Sequence, residues 1–176
     1  ILASLILGCA SPIPQAIRES GTTTPVTVSA VQADPARHSG QRVRWGGEIL
    51  SVANRERVTE IEILSRRLGR EGEPVMDAEP EGRFIASIPG FVDPAQLPNN
   101  RDITVVGLIT ETVTRPVGEY PYIYPLVQAE SRYLWPEAPP AVAYPYPYPW
   151  LGPWYDPFWG PYWGPGYRLG GGAWMY

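Results

Sequence analysis

Val58-Thr59-Glu60-Ile61-Glu62-Ile63-Leu64 alternates between its two sides with a strict period of two. Thr59, Ile61 and Ile63 fall on one face and Glu60 and Glu62 on the other, the pattern of a strand buried on one side and wet on the other. The period recurs in Arg42–Val52, where Val43, Trp45, Gly47, Ile49 and Ser51 share a face while Arg42, Arg44 and Glu48 point away. It recurs again in Arg83–Ile88, Asp102–Thr110 and Tyr122–Glu130. The fold class is therefore mainly β.

Proline (22) and glycine (18) set the boundaries between these segments. The Val28–Ala33 stretch fits a short helical turn stopped at Asp34-Pro35. His38-Ser39-Gly40 reads as a turn, and Gly46-Gly47 inside the first strand predicts a bulge or sharp bend. Such a bend lets one long strand serve both sheets of a small barrel. Residues 66–81 are rich in charge, glycine and proline and read as a loop. Asp93 and Pro94 carry the signature of an N-cap and first turn. Gly107 offers a further bend, and Pro125 places the last strand on an edge or across a bulge. Five strands with a short helical element between the third and fourth predict an OB-like barrel over residues 26–135. The alternative is a small antiparallel sandwich.

The chain starts with the apolar run Ile1–Gly8 and its single cysteine, Cys9. The run is too short to span a bilayer, which takes about 20 apolar residues as a helix. It has the length and character of a signal-peptide core. Residues 1–8 read as a signal remnant, and Ile6-Leu7-Gly8-Cys9 resembles a bacterial lipobox, cut before a lipid-bearing cysteine. That resemblance implies acyl chains on Cys9, membrane attachment without a transmembrane helix, and, with Ala10 rather than Asp next, an outer-membrane destination. Residues 9–25 read as the lipid anchor and a tether rich in Ser, Thr and Pro.

The ordered set Ser11-Pro12-Ile13-Pro14-Gln15, Gly40–Gly47, Ile61-Glu62-Ile63, Gly82–Ala86, Gly90–Pro94 and Ile103–Gly107 resembles the Slp family of bacterial outer-membrane lipoproteins. The likeness runs from about residue 7 to 135. It implies a periplasm-facing envelope lipoprotein associated with starvation or stress. It carries no biochemical activity, cofactor or catalytic residue onto this chain.

Composition narrows the partners. A net charge of −4 and a pI near 5.0 give no basis for tight nucleic-acid binding. His38 is the only histidine and sits at an expected turn, and Cys9 cannot act as a nucleophile once acylated. Glu60 and Glu62 read as a solvated face paired with Arg42 and Arg44, rather than as an acid pair. Glu71, Glu73, Asp77, Glu79 and Glu81 form an acidic loop without EF-hand spacing. The sequence thus predicts a non-enzymatic protein without metal or cofactor.

Residues 136–176 form a Pro/Tyr/Trp/Gly tail, and six of the seven tryptophans lie at or after Trp135. Alternating proline favours a polyproline II course, and Trp and Tyr prefer the membrane–water interface. Trp150, Trp154, Trp159 and Trp163 are the expected contacts to membrane or an envelope partner. Disorder and docking on the barrel are the competing readings. The rival function is an OB-like module for an oligosaccharide or peptidoglycan fragment, with Trp45 and Phe84 as stacking residues. Burial of those two rings would remove its contacts.

Overall fold

A computed structural model describes residues 12–19 and 23–137. Five strands close into a ring in the order β1-β2-β3-β5-β4. They are β1 (Arg42–Asn54), β2 (Val58–Arg66), β3 (Gly82–Pro89), β4 (Asp102–Val117) and β5 (Tyr120–Leu134). All neighbouring pairs are antiparallel except β3 and β5, which run parallel through Ile85–Ser87 and Leu126–Gln128. The OB-like barrel expected from the alternating segments is present. The sandwich is excluded because β1 pairs with both β2 and β4.

β2 alternates without a break: Thr59, Ile61, Ile63 and Ser65 are buried, and the residues between them are half-buried. Val43, Trp45 and Ile49 of β1, Phe84, Ala86 and Ile88 of β3, and Ile103, Val105 and Ile109 of β4 complete the core with Val127 of β5. Three short helices precede β1: α1 (Gln15–Arg18), α2 (Val28–Ala33) and α3 (Pro35–His38). Thr27 caps α2 by accepting from Ala30 N, and Asp34 caps α3, whose first residue is Pro35. Val28 and Val31 of α2 are fully buried members of the core. The helical turn expected between β3 and β4 is the 3-10 turn Pro94–Gln96 capped by Asp93, and Val92 and Leu97 on either side of it join the core. Ile17 of α1, in the segment expected to act as a tether, is also fully buried.

β1 serves two neighbours as expected, but its bulge is not at the glycines. Gly46 and Gly47 are in regular register with β2 and β4 at once, so they mark where the strand passes from one partner to the other. A Cβ on Gly47 would run into the Leu64 carbonyl, and one on Gly46 would lie 2.7 Å from the Ile103 carbonyl oxygen. The register shift falls between Ile49 and Ser51. It turns Ser51 out to solvent, against the expected inward placement, and packs Val52 against the core. Gly107 lies beside a similar shift, between Val106 and Gly107, and a second shift between Ile109 and Glu111 precedes the pairing of Pro125 with Thr112.

β4 and β5 are longer than the alternation indicates. Their ladder continues past Thr110 to Val117, opposite Tyr120, around the two-residue turn Gly118-Glu119. Gly118 has φ 61° and leads a tight primed turn that matches strand twist. Pro116 faces Pro121 across the ladder. The two prolines hide this extension in the sequence, because they lack the donors that an ordinary strand interior needs.

Candidate functional site

The outer face of β2, β3 and β5 carries a network of bonded polar side chains. Glu60 and Glu62 point outward from β2 because their neighbours fill the core. Arg115, near the tip of the β4–β5 hairpin, grips Glu60 with two parallel hydrogen bonds of 2.8 and 2.9 Å. Arg55, just past β1, donates to the same carboxylate at 2.9 Å. Glu62 accepts from Arg83 Nη1 of β3 and from the Tyr124 hydroxyl of β5, both at 2.9 Å. Tyr122 accepts from the backbone N–H of Arg83 and meets Tyr124 edge-on, with ring centroids 4.9 Å apart.

This geometry closes the face. Tyr124 on β5 reaches Glu62 on β2 although β3 lies between them, and the β3 residue paired with Glu62 is Ile85. The phenol therefore crosses β3 at Ile85. Ile85 points outward between Phe84 and Ala86, yet it is only 2% exposed. In an OB-like barrel the surface of strands 2 and 3 is the usual ligand platform. Here the chain's own hairpin side chains span it.

The electrostatics suit a clamp. The Arg115 guanidinium holds the Glu60 carboxyl below the usual range, against the opposing effect of burial, and Arg55 adds to the lowering. A general acid needs the reverse shift. The Tyr124 hydroxyl is pushed up by burial and by its bond to Glu62, which keeps it a neutral donor. The partners differ from those expected from sequence. Arg42 pairs with Glu130 at 2.7 Å, and Arg44 donates to the carbonyls of Ile17 and Arg18. Arg115 lies past the legible end of β4, so its role could be found only through the Gly118-Glu119 turn.

Trp45 and Phe84, the stacking residues of the glycan-module reading, are 5% and 0% exposed. They pack edge-to-face inside the core at 5.3 Å, and Trp45 Nε1 donates to the Val26 carbonyl at 2.7 Å. Neither ring can stack on a sugar, so that reading loses its residues. His38 ends α3 and its Nδ1 lies 3.1 Å from Gln41 Oε1, and no carboxylate among the described residues bonds to it. In the acidic loop, Glu73 accepts from the Glu71 backbone N–H, while Asp77 and Glu79 are exposed. Cys9, Trp150, Trp154, Trp159 and Trp163 lie outside the described residues. Among the described residues, no helix is long and apolar enough to cross a membrane.

Comparison with known proteins decides the family. The model of the outer membrane lipoprotein Slp family matches residues 6–163. The chain belongs to the Slp family. It is 31% identical over 133 residues to the Escherichia coli K12 protein named uncharacterized lipoprotein YeaY, covering 76% of this chain and 68% of that one. It is 30% identical over 135 residues to the outer membrane protein Slp of the same organism, covering 75% and 70% of the two chains. A Haemophilus influenzae protein is 35% identical over 94 residues, or 53% of this chain and 51% of its own. The Slp family match takes in the barrel, Cys9 and most of the aromatic tail.

Proposed function

We propose that this outer-membrane lipoprotein is acylated on Cys9, faces the periplasm and serves a structural, non-enzymatic role in the envelope under starvation or stress. Residues 136–176 are its contact to the membrane or to an envelope partner, and the barrel holds that tail. The observation that carries the reading is the span of the family match, which begins at residue 6 and so includes the lipobox-like Ile6–Cys9. The match also runs through Trp150, Trp154, Trp159 and Trp163. The ion-paired state of Glu60 and Glu62 favours a structural barrel over a hydrolytic one.

The anchor supplies membrane affinity through acyl chains, at about 0.8 kcal/mol per buried methylene. The test is Cys9→Ser in cells. The variant should leave the membrane fraction, and the native protein extracted from membranes should carry acyl mass on Cys9. A native protein that fractionates as soluble with a free Cys9 thiol would end the proposal.

A further inference from the structure

A cleft of about 470 Å³ opens beside the start of β1, between residues 23–27 and the end of β2. Its size falls within the range of small-molecule sites, about 300–1,000 Å³. Arg44, Arg66 and Arg67 line it, with Glu81 the one acidic residue among the described lining, while Val26, Trp45 and Leu68 contribute apolar wall. None of these charged residues joins an ion pair among the described residues. This contrasts with the outer face of β2, where the carboxylates are gripped by guanidiniums.

Two of the three guanidiniums are already fixed. Arg44 Nη1 donates to the carbonyls of Ile17 and Arg18 at 2.8 and 3.0 Å. Arg66 Nη1 donates to those of Met76 and Ala78 at 3.2 and 2.7 Å. Neutral carbonyls orient the groups without cancelling their charge, and each guanidinium keeps further donors. Asp102 acts on Arg66 only at longer range, without an ion pair. Arg67 is exposed, and its side chain has no partner among the described residues. Three cations against one carboxylate is an unusual balance in a chain of net charge −4. Fixed, forked donors are the chemistry that recognises phosphate or carboxylate.

We infer that this cleft binds an organic anion, a phosphate or carboxylate group whose apolar body lies along Val26 and Leu68. A soluble metabolite and a lipid headgroup share that chemistry. The cleft's described lining lies entirely between residues 23 and 81.

The test uses the full chain with Cys9→Ser, so that no acyl group competes, and follows heat of binding by calorimetry. The probes are butyl phosphate, inorganic phosphate and 1-butanol. Butyl phosphate should bind and 1-butanol should not. Arg67→Gln, which disturbs no packing, should weaken binding about tenfold, whereas Glu81→Gln should strengthen it. Added salt should reduce the affinity. Vesicles of phosphatidylglycerol and of phosphatidylcholine separate the two sources. Retention on the former alone, lost in Arg67→Gln, identifies a headgroup, and no retention with intact butyl phosphate binding identifies a soluble anion. The inference falls if butyl phosphate binds no better than 1-butanol, or if Arg67→Gln binds it like the parent chain.

Discussion

Glu60 is an outward carboxylate that the folded chain makes more acidic. Arg115 holds it ionised, and the side chain is only 13% exposed. Its folded pKa lies below its unfolded value, so its stabilisation is full above the ordinary carboxylate range. That stabilisation is lost as pH falls through the depressed folded value. Glu60→Gln should lower stability near neutral pH by about 1–2 kcal/mol, because Arg115 loses its charged partner. It should also flatten the acid limb of a urea-denaturation series run against pH. Asp102 behaves in the opposite sense. Burial, with Glu48 nearby, raises its pKa, and its Oδ1 has no hydrogen-bond partner among the described residues. Ionised Asp102 therefore costs stability at neutral pH, and the cost fades as pH falls through the raised folded value. Asp102→Asn should raise the melting temperature near neutral pH and narrow its gain on acidification. A lower melting temperature would mean that Arg66 needs the charge more than burial opposes it.

At the scale of elements, β1 and the β4–β5 hairpin hold the barrel shut. β1 can pair with β2 and β4 together only because Gly46 and Gly47 let both neighbours approach the bend. Gly47→Val puts side-chain atoms where the Leu64 carbonyl sits, and it should destabilise the chain by about 3 kcal/mol or prevent folding. A Gly47→Val protein with unchanged denaturation would show that the bend has room to shift. The hairpin is fastened at its tip by Arg115 and nearer its base by Tyr124. Arg115→Ala should speed amide exchange in residues 112–124 while leaving the buried segments of β2 protected. Uniform exchange across the barrel would instead make the clamp part of the global fold.

The molecule as a whole is larger than its alternating segments. Ile17 is buried beside Gly72, and the carbonyls of Ile17 and Arg18 hold Arg44. Trp135 ends the described barrel: its indole donates to Thr104 Oγ1, and its carbonyl accepts from Arg101 at 2.6 Å. A protein cut to residues 12–137 should therefore outlast one cut to 26–135 by about 2–4 kcal/mol, the scale of losing a buried isoleucine. Equal stabilities in denaturant would make α1 an ornament on the barrel. In the full chain, changing Trp150, Trp154, Trp159 and Trp163 to Ser should weaken association of the non-lipidated protein with vesicles or envelope extract. Matching behaviour of the two would remove the adhesive role proposed for the tail.

Period-two alternation in β2 identified a strand and its buried face from the residues alone. Ordering five such segments with a capped turn after the third led to the barrel, because side-chain period and turn chemistry are local properties. The same local reading found α2 and the Asp93 cap. The ordered motifs, together with the lipobox-like start, were enough to point to the Slp family. What local sequence did not carry was long-range pairing. Ser51 moved to the solvent face because the shift in pairing with β2 between Ile49 and Ser51 changed the phase of the strand. Prolines at 116 and 121 concealed a ladder whose donors they do not need to supply. Arg115 found Glu60, and Arg44 found the carbonyls of α1, only once closure of the ring brought together residues 55 and 26 positions apart along the chain. Trp45 and Phe84 are core, the placement that the sequence favoured over a ligand platform. Each strand's apolar side is written in its own alternation, but which side chains of distant strands meet depends on all five strands at once.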